Sequence, residues 1–195
     1  MIFGKLSFAS GVITVMFLSA CGNAEVKKNF DRSGEFTKIS SGANLSAPSD
    51  LTSVVGAATY EGVALANFSE GFGATARVML VANFDDDKIS GTLNNWVDGD
   101  PRNHELRGSV ELFDGKIGES GTFTTLMAGN LERTIVGIDD TETPLLMIIG
   151  GGASGSFYDS LDGELASHVG GEMNGTTLTA NGSTGTMTGG FVAVE

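Results

Sequence analysis

The chain has 195 residues and a formal net charge of −13, from 24 acidic and 11 basic side chains. This strongly negative net charge argues against nucleic acid and against anionic lipid as partners, because both repel a negatively charged protein. Glycine is abundant (29 residues), proline is scarce (3) and there is a single cysteine, which predicts β structure with tight turns and excludes an intramolecular disulfide.

The first residues have the pattern of an export signal that ends at this cysteine. Lys5 supplies a positive charge, and residues 6–18 form an apolar run too short to span a bilayer. The run ends in Leu18-Ser19-Ala20-Cys21, which resembles a bacterial lipobox, so we expect a lipoprotein signal peptide over residues 1–20 and a lipid on Cys21. An ordinary signal peptide with an incidental cysteine is the alternative. Gly22, where an aspartate often holds lipoproteins at the inner membrane, favours the outer membrane.

Residues 21–53 carry no sustained hydrophobic period and are rich in Ser, Gly, Asn, Lys and Asp. They predict a lipidated N-terminus and a flexible tether, with order near Phe30 and Phe36. From residue 54 the pattern changes to short apolar segments separated by Gly, Asn-Gly and Asp-Gly pairs, which is typical of hairpins. We therefore place one folded domain at residues 54–195.

Within this domain the alternation of apolar and polar residues predicts a series of strands. Hairpin turns are expected at Asp114-Gly115 and Asn174-Gly175, because these dipeptides suit two-residue turns, and Asn181-Gly182 precedes the last strand. The predicted strands are 57–68, 74–84, 88–96, 106–113, 116–127, 131–138, 145–151 continued by 155–158, 171–174, 176–180 and 185–194.

Residues 159–169 differ from the strand pattern. Leu161, Leu165 and Val169 recur at intervals of four, Asp159 is suited to cap a helix start, and Gly170 is suited to stop it. This segment predicts one short helix.

Eight or nine antiparallel strands with almost no helix close into a barrel or fold into a sandwich. Glycines inside strands favour the barrel, since sharply bent strands use glycine; these are Gly62, Gly91, Gly108, Gly118 and Gly121. We predict an all-β fold, a single eight-stranded antiparallel barrel with one short helix, preceded by the tether. A barrel inside the membrane is disfavoured, because only 8% of residues are aromatic and no aromatic residue ends the chain.

Two patches of the sequence resemble a known family. Asn83-Phe84, a short turn and Ile89-Ser90-Gly91-Thr92-Leu93 resemble a hairpin of transferrin-binding protein B-like barrel domains. Gly155-Ser156-Phe157-Tyr158, then Gly170-Gly171, then Gly189-Gly190-Phe191 resemble the closing region of those domains. The resemblance covers about residues 54–195. The chain departs from the family at Asp159, where the family usually has glycine.

The resemblance implies a surface lipoprotein with a single barrel. It gives little support for transferrin binding, because transferrin-binding protein B itself has two lobes, each with a handle domain beside its barrel. Single-barrel relatives include surface lipoproteins that bind complement regulators, haemoglobin or haem. Such relatives are often carried to the cell surface by an outer-membrane assembly modulator. From the resemblance we expect a partner that is an extracellular protein or a haem or iron carrier.

Few residues are suited to catalysis or to holding a cofactor. Gly150-x-Gly152-x-x-Gly155 has dinucleotide-binding spacing but is followed by a strand instead of opening a helix. His104 and His168 are the only histidines, and each is suited either to ligate a metal or haem or to a solvent-facing or capping role. Trp96, the only tryptophan, is either an exposed binding anchor or a barrel plug. We therefore expect no enzyme and no bound cofactor.

The sequence leads to a non-enzymatic binding module, lipid-anchored at the outer membrane and facing the cell surface. Its ligand-binding candidates are Trp96, His104 and His168, and its longest loops are expected at 94–105, 139–144 and 159–169. A periplasm-facing carrier of haem or lipid and a purely structural envelope lipoprotein are the alternatives. A carrier requires an apolar cavity, whereas a protein-binding module requires a filled barrel and an apolar patch at a loop end.

Overall fold

The computed structural model of the chain describes residues 24–45, 48–100, 104–137 and 141–195. The predicted signal peptide, the lipobox, Cys21 and Gly22 lie outside the described residues. The described chain begins with an α-helix, α1 (Ala24–Gly42), which is followed by a single 3-10 turn at Leu51–Ser53.

Eight strands follow, and each pairs antiparallel with the next along the chain. β1 also pairs with β8, so the sheet closes into a barrel, as predicted. The strands are β1 (Ala57–Phe68), β2 (Phe72–Asn83), β3 (Lys88–Asp98), β4 (Glu105–Ile117), β5 (Thr122–Val136), β6 (Glu142–Tyr158), β7 (His168–Thr179) and β8 (Thr184–Val194).

The barrel interior is filled by apolar side chains, because every second residue of a strand points inward. On β2 buried and exposed residues alternate from Ala76 through Leu80 to Ala82. Among the described residues, the large apolar side chains that are less than 2% exposed are Tyr60, Phe157, Phe191, Leu80, Leu93, Met127, Leu131, Met147, Ile149, Met173 and Met187. An eight-stranded barrel is just wide enough for side chains to fill it, and this one is filled.

The predicted hairpin at Asp114-Gly115 is wrong. Both residues lie inside β4, where Asp114 has φ 51° and the register shifts between Phe113 and Lys116. The dipeptide forms a β-bulge instead of a turn, and the Thr125 hydroxyl donates to the Phe113 carbonyl at 2.7 Å. A positive φ suits a bulge as well as a turn, so the dipeptide alone does not distinguish them. The turn lies at residues 118–121, and therefore Gly118 and Gly121 are turn residues, not strand residues.

The predicted hairpin at Asn174-Gly175 is also wrong, because β7 runs through both residues without a break. Gly175 pairs with Gly151 on β6, and a Cβ at Gly151 would lie 2.3 Å from the Asn174 carbonyl oxygen. The absence of a side chain at Gly151 and at Gly175 permits the close approach of β6 and β7. The turn before the last strand does lie at residues 180–183, around Asn181-Gly182.

The predicted helix at residues 159–169 is wrong as well. Residues 159–167 form the loop between β6 and β7, and His168 already belongs to β7. Gly163 (φ 86°) and Ala166 (φ 51°) adopt left-handed conformations that a helix excludes. The Asp159 carboxylate reaches across the loop and accepts from the Ala166 N–H at 3.1 Å instead of capping a first turn.

The helix that the described residues do contain lies in the segment predicted as a tether. α1 packs on the outer wall of the barrel against β1, β2, β3 and β8. Arg32, 5% exposed, donates from this helix to the carbonyls of Thr75 and Asn95. Asn95 sits at a bulge with φ 50°, so Arg32 satisfies a carbonyl in an irregular part of the ladder.

Candidate functional site

The barrel has two ends with different chemistry. End A carries the connections β1–β2, β3–β4, β5–β6 and β7–β8, which are residues 69–71, 99–104, 137–141 and 180–183. End B carries the other three connections, residues 84–87, 118–121 and 159–167, together with residues 48–56, which lead into β1. Trp96 and His104 lie at end A, whereas His168 lies at end B, so the structure does not bring the three candidate residues together.

End A is closed by a buried ion pair. The Arg133 guanidinium donates through Nε to the Asp98 carboxylate at 2.5 Å, and these side chains are 7% and 0% exposed. Its Nη2 lies 3.6 Å from Asp100. The guanidinium also lies over the ring of Phe72, 4.1 Å from the centroid, which is a cation–π contact. Arg133 is thus held from three sides and closes this end of the barrel.

Trp96 belongs to the same closure. It is 5% exposed and packs edge-on to Phe68 with ring centroids 6.2 Å apart. Phe68 in turn stacks on Phe72 at 4.5 Å. Among the described residues, the indole Nε1 has no hydrogen-bond partner. Trp96 is therefore a plug of the barrel, and the alternative of an exposed anchor is excluded.

His104 is buried beside this ion pair. Its Nδ1 accepts from the Val136 N–H at 3.0 Å, and its Nε2 faces the Asp100 carboxylate at 3.6 Å. Because Nδ1 is used as an acceptor, the neutral ring carries its proton on Nε2. Neither nitrogen then presents a lone pair to a metal. The ring orders the end of β5, although it also lines a surface pocket of about 420 Å³.

His168 is a partly covered residue at end B. Its Nδ1 lies 2.9 Å from the Ser167 hydroxyl, and a Cβ at Gly42 would lie 3.2 Å from its Nε2. Burial lowers the pKa of His168, with Glu164 acting in the opposite direction. The end of α1 thus covers the second ring nitrogen, and the imidazole fills a contact between helix and barrel.

End B is closed by aromatic rings. Phe157 contacts Tyr60, Phe84 and Phe123 with centroids 5.2–5.6 Å apart. The Tyr60 hydroxyl donates to the Ala166 carbonyl at 2.7 Å. Burial raises the pKa of this phenol well above its usual range, and the negative charge of Glu195 adds to the effect. The barrel is therefore sealed at this end by apolar packing instead of an ion pair.

The chain before β1 folds across end B and covers these rings. The Ser49 N–H donates to the Phe157 carbonyl at 2.8 Å, and Ala43 forms a β-bridge with Ser160. Three leucines remain exposed near this bridge in the sequence: Leu45 (48%) follows Ala43 by two residues, and Leu161 (69%) and Leu165 (48%) follow Ser160 in the loop. End B thus combines a sealed barrel with exposed apolar side chains at a loop.

The residues that carry the family resemblance are packing residues of the barrel. Gly155, Gly171 and Phe191 lie opposite one another on β6, β7 and β8. A Cβ at Gly171 would lie 2.7 Å from the Phe191 ring, and one at Gly155 would lie 2.8 Å from the Phe123 ring. These glycines make room for rings in the interior, so the motif describes how a barrel is filled, not what it binds.

Sequence reasoning missed Arg133 and its pairing with Asp98, which is the most polar feature of the interior; the sequence pattern places Asp98 in a polar, solvated turn, whereas its side chain is fully buried. A signal was present: Leu131 points inward, so Arg133, two residues later on the same strand, also points inward. Within the described ranges no group of three or more His, Cys, Asp or Glu side chains is arranged to hold a metal ion. Within the same ranges, no helix has the length and apolar character needed to cross a membrane.

Comparison with known proteins adds no family assignment. No family model, no curated protein and no solved structure matches the chain. The barrel is thus established by the structure itself, and the resemblance to transferrin-binding protein B-like domains rests on the sequence motifs.

Proposed function

We propose that the chain is a non-enzymatic binding module, lipid-anchored through Cys21 at the outer membrane and facing the cell surface. Its ligand is a protein held on the outside of the barrel. As in the sequence analysis, the anchor rests on the lipobox and the surface location on the resemblance to transferrin-binding protein B-like lipoproteins.

The observation that supports a protein ligand is the filled and doubly sealed barrel. Large apolar side chains occupy the interior, the Arg133–Asp98 pair closes end A, and Phe157 with its ring neighbours closes end B. A small-ligand carrier needs an apolar cavity for its cargo. A barrel filled by its own side chains instead offers its outer surface, where exposed leucines lie at the loop 159–167.

The geometry at the histidines favours the same function over haem carriage. Haem iron needs an imidazole nitrogen with an available lone pair. At His104 the Val136 N–H occupies Nδ1, and at His168 the end of α1 lies against Nε2. An enzyme is disfavoured by the same placement, since the two histidines lie at opposite ends of the barrel.

The test is exposure of the full chain on intact cells. Protease added outside, or an amine reagent that does not cross membranes, should modify the native protein, because the module faces outward. The Cys21→Ala variant should leave the membrane fraction, because the anchor is lost. Protection in whole cells, with modification only after the outer membrane is broken, would reassign the protein to a periplasmic role. Equal membrane binding of the two proteins would refute the anchor.

A further inference from the structure

The direction of α1 relates the anchor to one end of the barrel. Near the start of the helix, Asn29 lies against Gly99 of the β3–β4 connection, where an added Cβ would lie 2.9 Å from its Nδ2. At the end of the helix, Ala43 bridges Ser160 of the β6–β7 loop. α1 therefore begins at end A and finishes at end B.

Contacts along the whole helix hold this direction. Arg32 is buried against the barrel wall and bonds the carbonyls of Thr75 and Asn95. One turn later Glu35 forms an ion pair with Arg77 at 2.5 Å. Because contacts fix the helix at both ends and in the middle, α1 is a rigid part of the barrel domain and not a flexible tether.

The chain outside the described part meets the barrel at end A. Three virtual bonds separate Cys21 from Ala24, so their Cα atoms lie within about 11 Å of each other whatever conformation the connecting residues adopt. A lipid on Cys21 would hold that residue at the bilayer surface. The 19 residues of α1 then span about 28 Å between the two ends.

We propose that α1 is a strut that orients the anchored barrel, with end A facing the lipid bilayer and end B facing away. This inference rests on the proposed function, because it requires the lipid on Cys21. It identifies the partner of end A as a phospholipid surface. It leaves Leu161 and Leu165, on the longest described loop, at the end that a protein ligand reaches first.

The charges at the start of α1 agree with a lipid surface there. Lys27 and Lys28 are both exposed in the early turns of the helix. Positive charges near the N-terminus of a helix interact unfavourably with the helix dipole. Lys27 also pairs with Asp31, four residues later, and a pair with the cation on the N-terminal side is the less favourable arrangement. The phosphates of zwitterionic headgroups beside these ammonium groups would offset that cost, and such a lipid surface carries no net charge to repel the acidic chain.

The experiment measures how close each end lies to the bilayer in the lipidated protein. Single cysteines replace exposed residues in the variants Thr184→Cys and Glu142→Cys at end A, and Asp162→Cys and Glu119→Cys at end B. Because the native cysteine is acylated, each introduced thiol is the only one that takes a fluorescent label. The proteins are placed in vesicles of phosphatidylethanolamine and phosphatidylcholine, which carry no net charge, together with a lipid that has a spin-labelled, quenching headgroup.

We expect several-fold stronger quenching of both end A labels than of both end B labels. Equal quenching at the two ends, as for a barrel lying on its side, overturns the orientation, and so does stronger quenching at end B. Mass spectrometry of Cys21 separates the two proposals. A chain without acyl groups refutes the anchor and the orientation together, whereas an acylated chain with the wrong quenching pattern refutes the orientation alone.

A linker variant tests the role of the helix. A flexible Gly-Ser segment inserted directly after Gly22 keeps the acylated cysteine but separates the start of α1 from the bilayer surface. Quenching at end A should then fall towards the value at end B. Unchanged quenching would show that the barrel surface, and not α1, sets the orientation, and would overturn the strut.

Discussion

At the scale of single residues, the closure of end A makes the sharpest prediction. Arg133→Met should lower the free energy of unfolding by about 3–5 kcal/mol, because it leaves the fully buried Asp98 carboxylate without its partner. Denaturant unfolding of the purified domain measures the loss. Arg107→Ala is the matched control, since its pair with Glu105 is more than half exposed and should be worth under about 1 kcal/mol.

A double variant separates the charge from the packing. In Arg133→Met combined with Asp98→Leu the fully buried carboxylate is removed together with its partner, so much of the stability should return. Asp100 still loses its contact with Arg133, so the return should be incomplete. If the double variant is less stable than the native protein, the ion pair is a stabilising feature. If it is as stable or more stable, the pair is only tolerated.

His104 makes a second prediction at this scale. His104→Ala removes the acceptor of the Val136 N–H and should cost about 1–3 kcal/mol of unfolding free energy. Haemin added to the native protein should show no saturable shift of its Soret band, because Nδ1 is occupied and Nε2 carries the proton. A one-to-one Soret shift that His104→Ala abolishes would contradict this assignment and support a haem carrier.

Tyr60 predicts a dependence on alkaline pH. Burial and Glu195 raise the pKa of its phenol, so above pH about 10 the folded protein binds more protons than the unfolded chain. The stability from this group is complete below that pH and is lost as pH rises further. In Tyr60→Phe the decline should be smaller, measured by urea unfolding across alkaline pH. Tyr158→Phe retains Tyr60 and should decline like the native protein.

At the scale of elements, α1 depends on its contacts with the barrel. Arg32→Ala removes the buried guanidinium that bonds the Thr75 and Asn95 carbonyls. Amide hydrogen exchange in residues 27–42 should therefore become faster, while exchange in the barrel strands remains nearly unchanged. Lys38→Ala, at an exposed position of the same helix, should leave both unchanged. Equal acceleration in helix and strands would instead indicate that the barrel needs α1 to fold.

The elements also show how far the sequence predicts the fold. Alternation placed β1 at residues 57–68, as observed, because period-2 burial is a local property. The dipeptides at 114–115 and 174–175 do not form the predicted turns, because a bulge also accommodates the positive φ of Asp114 and a close strand contact also requires glycine, as at Gly175. α1 was missed because it has no clear apolar period; tertiary contacts such as that of Arg32 stabilise it.

The candidate site follows the same rule. Residue type alone predicts Trp96, His104 and His168 as candidates; the first two lie at end A and His168 lies at end B. The association of Trp96 and His104 with Arg133 arises from pairing of strands distant in sequence, which composition and spacing do not encode. The alternation of inward and outward residues along β5 predicts that Arg133 points inward like Leu131. That it meets Asp98 on β3 follows only from the closed barrel, which brings the two strands together.

At the scale of the whole molecule, the acidic surface determines how stability responds to salt. The full chain has a net charge of −13, so its acidic groups repel one another in the compact state, and added salt screens that repulsion. Raising sodium chloride from about 20 mM to about 500 mM shortens the Debye length from over 20 Å to under 5 Å and should raise Tm by several degrees. Calorimetry measures the change. A fall in Tm would mean that attractive surface pairs such as Arg77–Glu35, which salt screens, outweigh the repulsion.

The acidic turn at end B supplies the control for this salt effect. Asp85, Asp86 and Asp87 follow one another in the β2–β3 turn and are exposed or nearly so. Asparagine at all three positions keeps the acceptors for the Gly56 N–H and the Asn83 amide while removing three negative charges. Tm at low salt should rise and the gain with salt should shrink. An unchanged salt response would mean that the destabilising repulsion comes from other acidic residues. End B would then lack the strong negative field that a positively charged ligand would recognise.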